Sequence, residues 1–336
     1  MKTVVIGGGA AGIFAAIHCN AILLERTNQL LSKVRISGGG RCNVTTSTTD
    51  PKKLIENYPR GSRELLGPFH HFGPLDTVQW FESRNVPLKT EKDGRIFPKS
   101  DRSQSIIDCL MQAAKDVDIR LQQKIKKIRK LGDHFEIEVN EETLHCDRLI
   151  LATGSSKQGY LWAEELGHTI QLPVPSLFTF NVPTSPLKEL SGIAVQDCHV
   201  SLPGFEQKGP VLITHFGFSG PAIIKLSAFA ARYLYEQNYK APLTIKWTPP
   251  LPKRLRRALQ NEIETYQIEG KTTHKEEFVT CGGVTLKEVD FRTMESRLCP
   301  GLHFAGEILD IDGITGGYNF QNAWTTAFLA AKGCLK

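Results

Sequence analysis

The chain has 336 residues, long enough to bury a large core and to form two lobes. Hydrophobic residues make up 40% and charged residues 23%, an ordinary soluble composition, and no apolar run reaches the roughly 18 residues that a membrane span needs. The net charge of +6 is only mildly basic, and its two clusters, KIKKIRK (124–130) and PKRLRR (252–257), lack the interleaved aromatics of a nucleic-acid surface; they read as solvated faces and argue against a nucleic-acid partner.

The opening MKTVVIGGG holds an apolar run too short for a signal-peptide core, so a cytoplasmic protein is expected. Its first apolar run, Thr3 to Ile6, is β-branched and reads as a buried strand. It feeds directly into Gly7-x-Gly9-x-x-Gly12 and then a helix of small residues through Ala15 and Ala16, with Asn20 as its stop. AILLE follows as a second strand ending in Glu25. This is a βαβ dinucleotide fingerprint. Gly7 permits the tight turn, Gly9 lets backbone approach a pyrophosphate, and Gly12 lets helix and strand pack closely. The helix start supplies N–H donors and positive partial charge, and Glu25 stands where an acidic side chain accepts from an adenosine ribose. The pattern alone does not separate NAD from FAD, since both present ADP.

Residues 36–43, ISGGGRCN, have two readings: a solvated loop, or backbone laid against a flat or anionic ligand. Cys42 is one of eight cysteines (with Cys19, Cys109, Cys146, Cys198, Cys281, Cys299 and Cys334) that show no C-x-x-C pair, so no metal and no dithiol centre is expected and the thiols read as small buried groups. Leu149 to Leu151 reads as a strand ending in Ala152-Thr153-Gly154, a terminus small enough for a ligand to pass. Between 177 and 283, LFTFNVP, DCHVSLP, GPVLITHFG and APLTIKW read as short strands broken by proline and glycine. Within 248–278 there is room for about one helix, near 252–266, with Leu255, Leu259 and Ile263 on one face. His215 is the titratable residue of this region that could serve as acid or base, although a structural histidine is the simpler reading. Near the end, LHFAG reads as a strand, Glu307, Asp310 and Asp312 as an acidic loop suited to polyol hydroxyls rather than to metal, and Gly316-Gly317 as the opening of a long helix.

Three separated segments therefore point to one extended cofactor. GGGAAG, ISGGGRCN, GRIFPKS, LATGS, LGHTIQLPVPSL, THFGFSGPAI, CGGV and GEILDIDGITGGYNFQNAW, in this order, resemble the BaiN-like (YhiN-like, aminoacetone-oxidase-like) family of bacterial FAD-binding oxidoreductases across nearly the whole chain. The resemblance implies an α/β fold: a Rossmann-like FAD-binding domain, doubly wound and mostly parallel, from 1–176 and 284–336, with an inserted, mostly β substrate domain at 177–283. It implies FAD as cofactor, with the pyrophosphate at Gly7, Gly9, Ala11 and Gly12 and the ribose at Glu25, Arg26 next to it also counting among the cofactor-binding residues. Gly39, Gly40, Arg41, Cys42 and Asn43 would follow the phosphates towards the isoalloxazine, with Arg41 as a cation and Cys42 as packing. Ala152, Thr153 and Gly154 would flank the adenosine half, and Gly306, Glu307 and Asp310 the ribityl chain. The helix start at Gly316, Gly317, Asn319 and Gln321 would aim N–H groups at the flavin pyrimidine. The implied activity is oxidoreduction of a small organic substrate, linked to NAD(P)H as a transient donor or to oxygen. An FAD-binding flavoprotein that modifies or binds RNA is the alternative. The chain departs from the family's pattern in a clipped first helix and in a much reduced helical module before CGGV, which leaves the substrate open.

Overall fold

Thr3–Ile6 (β1) is apolar on both faces and becomes the middle of a parallel sheet, where a strand has no solvated side. It pairs with Ile22–Leu24 (β2) on one side and with Arg148–Leu151 on the other, Val4 lying opposite Ile22 and Leu149. Asp118–Arg120 adds in parallel beyond β2, and Leu302–Phe304 in parallel beyond Arg148–Leu151. Two short antiparallel strands, Val289–Asp290 and Glu295–Ser296, finish that edge. Among the parallel strands, chain order runs outward from β1 in both directions, the doubly wound arrangement, so the carboxyl ends of the central strands form a crevice for ligands.

Parallel neighbours require a crossover, and α1 (Ala10–Cys19) supplies the first. Ala15 and Ala16 are fully buried, and their lack of bulk lets this helix approach the sheet and the last helix, Tyr318–Cys334. Phe14 projects between them, its ring 5.3 Å from that of Trp324 and 4.9 Å from that of Trp80. Asn20 ends α1 in the left-handed conformation at φ 49°, as its amide tolerates. KIKKIRK, read as a solvated face, lies in a strand, Ile125–Leu131, at the edge of a three-stranded meander. Ile128 points inward while Lys126 and Lys127 stay exposed, so the same residues satisfy both descriptions.

The computed structural model describes residues 1–272 and 279–335. The chain falls into two units, Met1–Pro173 with Gly282–Lys336, and Val174–Cys281. The second carries a seven-stranded sheet whose pairs are antiparallel, built around Ala194–Leu202, Phe205–Thr214 and Lys240–Trp247. Its own core contains Phe180, Ile213, Phe218 and Trp247, each buried side chain of this size contributing about 1.5–3 kcal/mol.

One expected element is corrected here. The helix near 252–266 shortens to Lys253–Ala258, and Ile263–Glu269 is a strand paired with Lys240–Trp247. Leu259 is already extended (φ −75°, ψ 136°), and the following IETYQIE alternates, with Tyr266 and Ile268 inward and Ile263 exposed. A period of two outweighs the helical spacing of Leu255, Leu259 and Ile263. Residues 273–278 of the same stretch lie outside the described residues.

Candidate cofactor site

The carboxyl ends of β1, Arg148–Leu151 and Leu302–Phe304 lie side by side and carry Gly7, Ala152-Thr153-Gly154 and Gly306-Glu307 respectively. Gly7 turns the chain at φ 112°, where a Cβ would stand 2.4 Å from the Ala152 carbonyl oxygen. A Cβ on Gly12 would stand 1.8 Å from the Gly7 oxygen, so this glycine is required by the packing of α1 on β1. Gly9 differs: nothing lies within 4 Å of its Cβ position. It caps α1 without a side-chain bond, and the first helical bond is Ile13 N–H to Gly9 O, which leaves the first-turn N–H groups for an anion.

Glu25 sits just past β2. Its Oε2 accepts from Gly8 N–H at 2.7 Å, and its Oε1 from Thr27 N–H and Oγ1–H, each at 2.8 Å. Those three bonds orient the carboxylate and hold the glycine turn, and a carboxylate with about four lone-pair positions keeps room for a hydroxyl. Arg26 beside it is exposed.

The ISGGGRCN loop closes Ser32–Gly40 (α2), whose regular turns stop at Ser37. Gly38, Gly39 and Gly40 take φ of 58°, 67° and 80°, a left-handed run that glycines sustain, and after Arg41 at −96° Cys42 returns to 61°. The Cβ positions of Gly39 and Gly40 have nothing within 4 Å. Cys42 is fully buried, and burial pushes its thiol up to about 12, against a smaller opposite effect of Ser37. That is the setting of an inert packing thiol. Asn43 Oδ1 and Thr153 Oγ1 are buried without a hydrogen-bond partner among the described residues. Open glycines next to unsatisfied polar atoms and uncapped helix starts fit an extended dinucleotide such as FAD.

Two expected roles change. Arg41 is not a spare cation: its Nη1 donates to Glu91 Oε1 at 2.7 Å and to Asp101 Oδ1 at 3.4 Å, and its guanidinium lies 4.0 Å from the Phe97 ring centre. These contacts draw it to acids that follow it in sequence and raise its pKa, chiefly through Glu91. Gln321 is fully buried; Thr45 and Thr77 hydroxyls donate to its Oε1, and its Nε2 donates to Thr325 Oγ1. Its backbone N–H already bonds Gly317 O, so the helix start offers Tyr318, Asn319 and Phe320 N–H groups instead. No side chain caps that helix and its first turn carries no acid.

The remaining residues have defined places. Gly306 N–H donates to Thr326 Oγ1, and a Cβ on Gly306 would stand 2.9 Å from Ala11 Cβ, so this glycine lets its loop approach α1. Glu307 pairs with Lys33. Asp310 is buried and accepts from Gly282 N–H at 3.0 Å, tying the acidic loop to CGGV. Asn319 grips Gly313 through both its N–H and C=O, and Gly317 passes so close to Thr45 that a Cβ would stand 2.4 Å from its oxygen. Gly316 (φ 130°) precedes it in a glycine-only conformation. His215 is exposed on the turn between Phe205–Thr214 and Gly217–Ser219, its ring against Phe216, with no hydrogen bond among the described residues. His168, by contrast, is held by Glu288 and Ser296 and is structural. Lys33, Tyr58 and Arg60 carry no local signal in sequence, since their partners lie more than 250 residues away. Among the described residues no cluster of His, Cys, Asp and Glu could hold a metal ion, and no helix is long and apolar enough to cross a membrane.

Comparison with known proteins gives the family. The HI0933-like protein Rossmann domain matches residues 1–333. The chain is 28% identical to the ribosomal RNA dihydrouridine synthase of Escherichia coli K12, over 98% of this chain and 96% of that protein. It is 27% identical to the 3-dehydro-bile acid delta(4,6)-reductase of Clostridium scindens, over 98% of this chain and 97% of that protein. Among solved structures, the 3-ketosteroid delta1-dehydrogenase of Sterolibacterium denitrificans superposes with a TM-score of 0.55 at 11% identity, covering 98% of both chains, a likeness of fold. The E. coli alignment runs over 390 residues, more than the 336 of this chain, so that relative carries segments this chain lacks. The chain belongs to the HI0933-like Rossmann-domain family and is an FAD-dependent oxidoreductase.

Proposed function

We propose that this oxidoreductase adds hydrogen across a polarised carbon–carbon double bond of a small organic substrate, with NAD(P)H as a donor that docks and leaves. The observation that carries the cofactor half of this reading is the open space over Gly9, Gly39 and Gly40. The chemistry is suggested by the two relatives, whose names describe a dihydrouridine product and a delta(4,6) reduction.

In this reading Gly7, Gly9, Ala11 and Gly12 hold the pyrophosphate, Glu25 and Arg26 the ribose, and Ala152 to Gly154 the adenosine flank. Gly39, Gly40, Cys42 and Asn43 lie along the cofactor towards its ring, and Gly306, Glu307 and Asp310 border the ribityl chain. When bound, FAD supplies two-electron chemistry that no side chain here provides. The N–H groups of Tyr318, Asn319 and Phe320, with Gly316 and Gly317 giving them access, put positive partial charge at one end of the site and favour negative charge there. No second G-x-G-x-x-G follows Gly12, so the chain keeps no second dinucleotide fingerprint for a nicotinamide. That favours transient docking and alternating half-reactions. Eight free cysteines suit a reducing compartment, and we place the protein in the cytoplasm.

The test is anaerobic. Holoprotein is reduced with NADPH and then offered α,β-unsaturated ketones and acids, their saturated counterparts, and a uridine-bearing ribosomal RNA fragment. Flavin reoxidation by unsaturated small molecules alone supports the proposal. Reoxidation by the RNA fragment alone moves the substrate to RNA, and response to none of them removes the double-bond reading.

A further inference from the structure

The unit Val174–Cys281 holds a charge that its fold does not call for. The short strand Lys271–Thr272 pairs antiparallel with Thr179–Asn181, and Lys271 lies opposite Phe180. Residues opposed in this way point to the same face, and Phe180 is fully buried in that unit's core. The lysine stem therefore starts on the apolar side of the sheet, where lysine is rare. Its ammonium ends among rings, 4.8 Å from the centre of Tyr239 and 5.8 Å from that of Phe178. Those two rings meet edge to face at 5.7 Å, and the exposed Tyr235 continues the row, 6.3 Å from Tyr239. We infer that Lys271 binds the carboxylate of a small, flat organic acid whose apolar body lies along Tyr239 and Tyr235. Resting on the double-bond reading above, that acid is the substrate, its double bond conjugated to the carboxylate.

Ring faces hold an ammonium without neutralising it. Burial pushes this one below its usual range, and no carboxylate among the described residues pulls it back. A partly desolvated cation gains most from an anion that brings its own apolar surface. A nucleic-acid backbone would instead need several cations in a row. Tyr239 is set over the ammonium at a conformational cost. It and Asn238 take φ of 57° and 51°, left-handed values that bulky residues rarely adopt. Tyr239 N–H donates to Leu234 O at 2.7 Å, and its O accepts from Gly270 N–H at 2.9 Å, next to Lys271 in the chain. Ring and ammonium are positioned together.

The experiment titrates the FAD-loaded protein by calorimetry with crotonate, cinnamate and 2-naphthoate, and with cinnamamide, which has the shape of cinnamate without its charge. Cinnamate is expected to bind about tenfold or more tightly than cinnamamide. Lys271→Met should remove that advantage, a loss of about ten- to a hundredfold, and Lys271→Arg should keep most of it. Thermal melts of Lys271→Met should match or exceed wild type, since methionine fills the apolar side of the sheet without a charge. Equal wild-type affinity for cinnamate and cinnamamide, no acid bound at all, or acid binding unchanged in Lys271→Met would overturn the site. So would a Lys271→Met loss confined to a ribosomal RNA fragment, which would give the cation to a phosphate backbone. Lys271-dependent acid binding that leaves NADPH-reduced flavin unoxidised would keep the acid site and remove the double-bond reading that makes its ligand the substrate.

Discussion

Arg60 clasps Asp312 across 252 positions of sequence, Nε and Nη2 each donating to one carboxylate oxygen. The Asp312 side chain is fully buried and that of Arg60 is 11% exposed. Around this pair Tyr58 donates its hydroxyl to Tyr318 O at 2.6 Å, and Ile314 N–H donates to Asn57 O at 2.9 Å. The residues before Ser62–His71 therefore hold the loop that leads into the last helix. Breaking a buried pair typically costs about 3–5 kcal/mol, whereas replacing both partners by apolar groups is often near neutral. Arg60→Met should lose stability in that range by urea melts, and Arg60→Met with Asp312→Leu should recover most of it. Equal losses in both would show that the pair is not the source.

Glycines of the fingerprint should separate by consequence. Gly9→Val is expected to fold and to fail to retain FAD, because its Cβ faces open space that only a ligand fills. Gly12→Val has no such space, with a Cβ at 1.8 Å from the Gly7 oxygen, and should give insoluble or molten protein. Near-ultraviolet circular dichroism and bound-flavin absorbance read the two effects apart.

Beside its proposed ribose contact, Glu25 holds the glycine turn, a duty that sequence spacing did not reveal. Glu25→Ala removes the acceptor of Gly8 and Thr27 and should therefore lower stability as well as FAD affinity. Hydrogen bonds to a charged group contribute about 1.5–3 kcal/mol each, roughly one to two decades in affinity for a lost ribose bond. Glu25→Gln, which keeps one oxygen, should fall between. Flavin titration with parallel thermal melts checks both parts.

Buried thiols set an alkaline limit. Burial raises Cys42, Cys19 and Cys146 to about 12 and Cys109 and Cys198 to about 11, from an ordinary 9.0. Above about pH 9 the unfolded chain ionises thiols that the folded chain keeps protonated. Their contribution is complete below that pH and is lost as pH climbs towards 11 to 12. Urea midpoints should fall across this window, and Cys42→Ala should flatten the fall while retaining FAD. Rapid alkylation of Cys42 in the folded protein at neutral pH would contradict it.

The parts of this architecture that local rules govern were legible in sequence. Thr3–Ile6, the turn at Gly7, the stop at Asn20 and the strand end at Ala152 each follow from residues within a few positions. Roles that depend on remote partners were not. Arg41 looked like a free cation because Glu91 and Asp101 stand 50 and 60 positions away. Gln321 looked like a ligand residue until Thr45 and Thr77 turned it inward. Ile263 misled differently: it satisfied a helical spacing and a strand alternation at once, and pairing with Lys240–Trp247 chose the second.

The order of synthesis follows from one feature of the fold. The unit that holds the cofactor site is discontinuous: β1 and the glycine turn emerge first, while Gly306 and the Tyr318–Cys334 helix that packs on α1 come roughly 300 residues later. At translation rates of about 5–20 residues per second, the interval is on the order of 15–60 s. Val174–Cys281 is contiguous and has its own core, so it can close on the ribosome while the first unit still waits for its last strand. On the proposed cofactor reading, FAD uptake is expected only once both segments of the first unit are made. A truncation after Pro300 should keep protease-resistant Val174–Cys281 and bind no flavin; limited proteolysis with flavin analysis would show whether a partial chain can already load its cofactor.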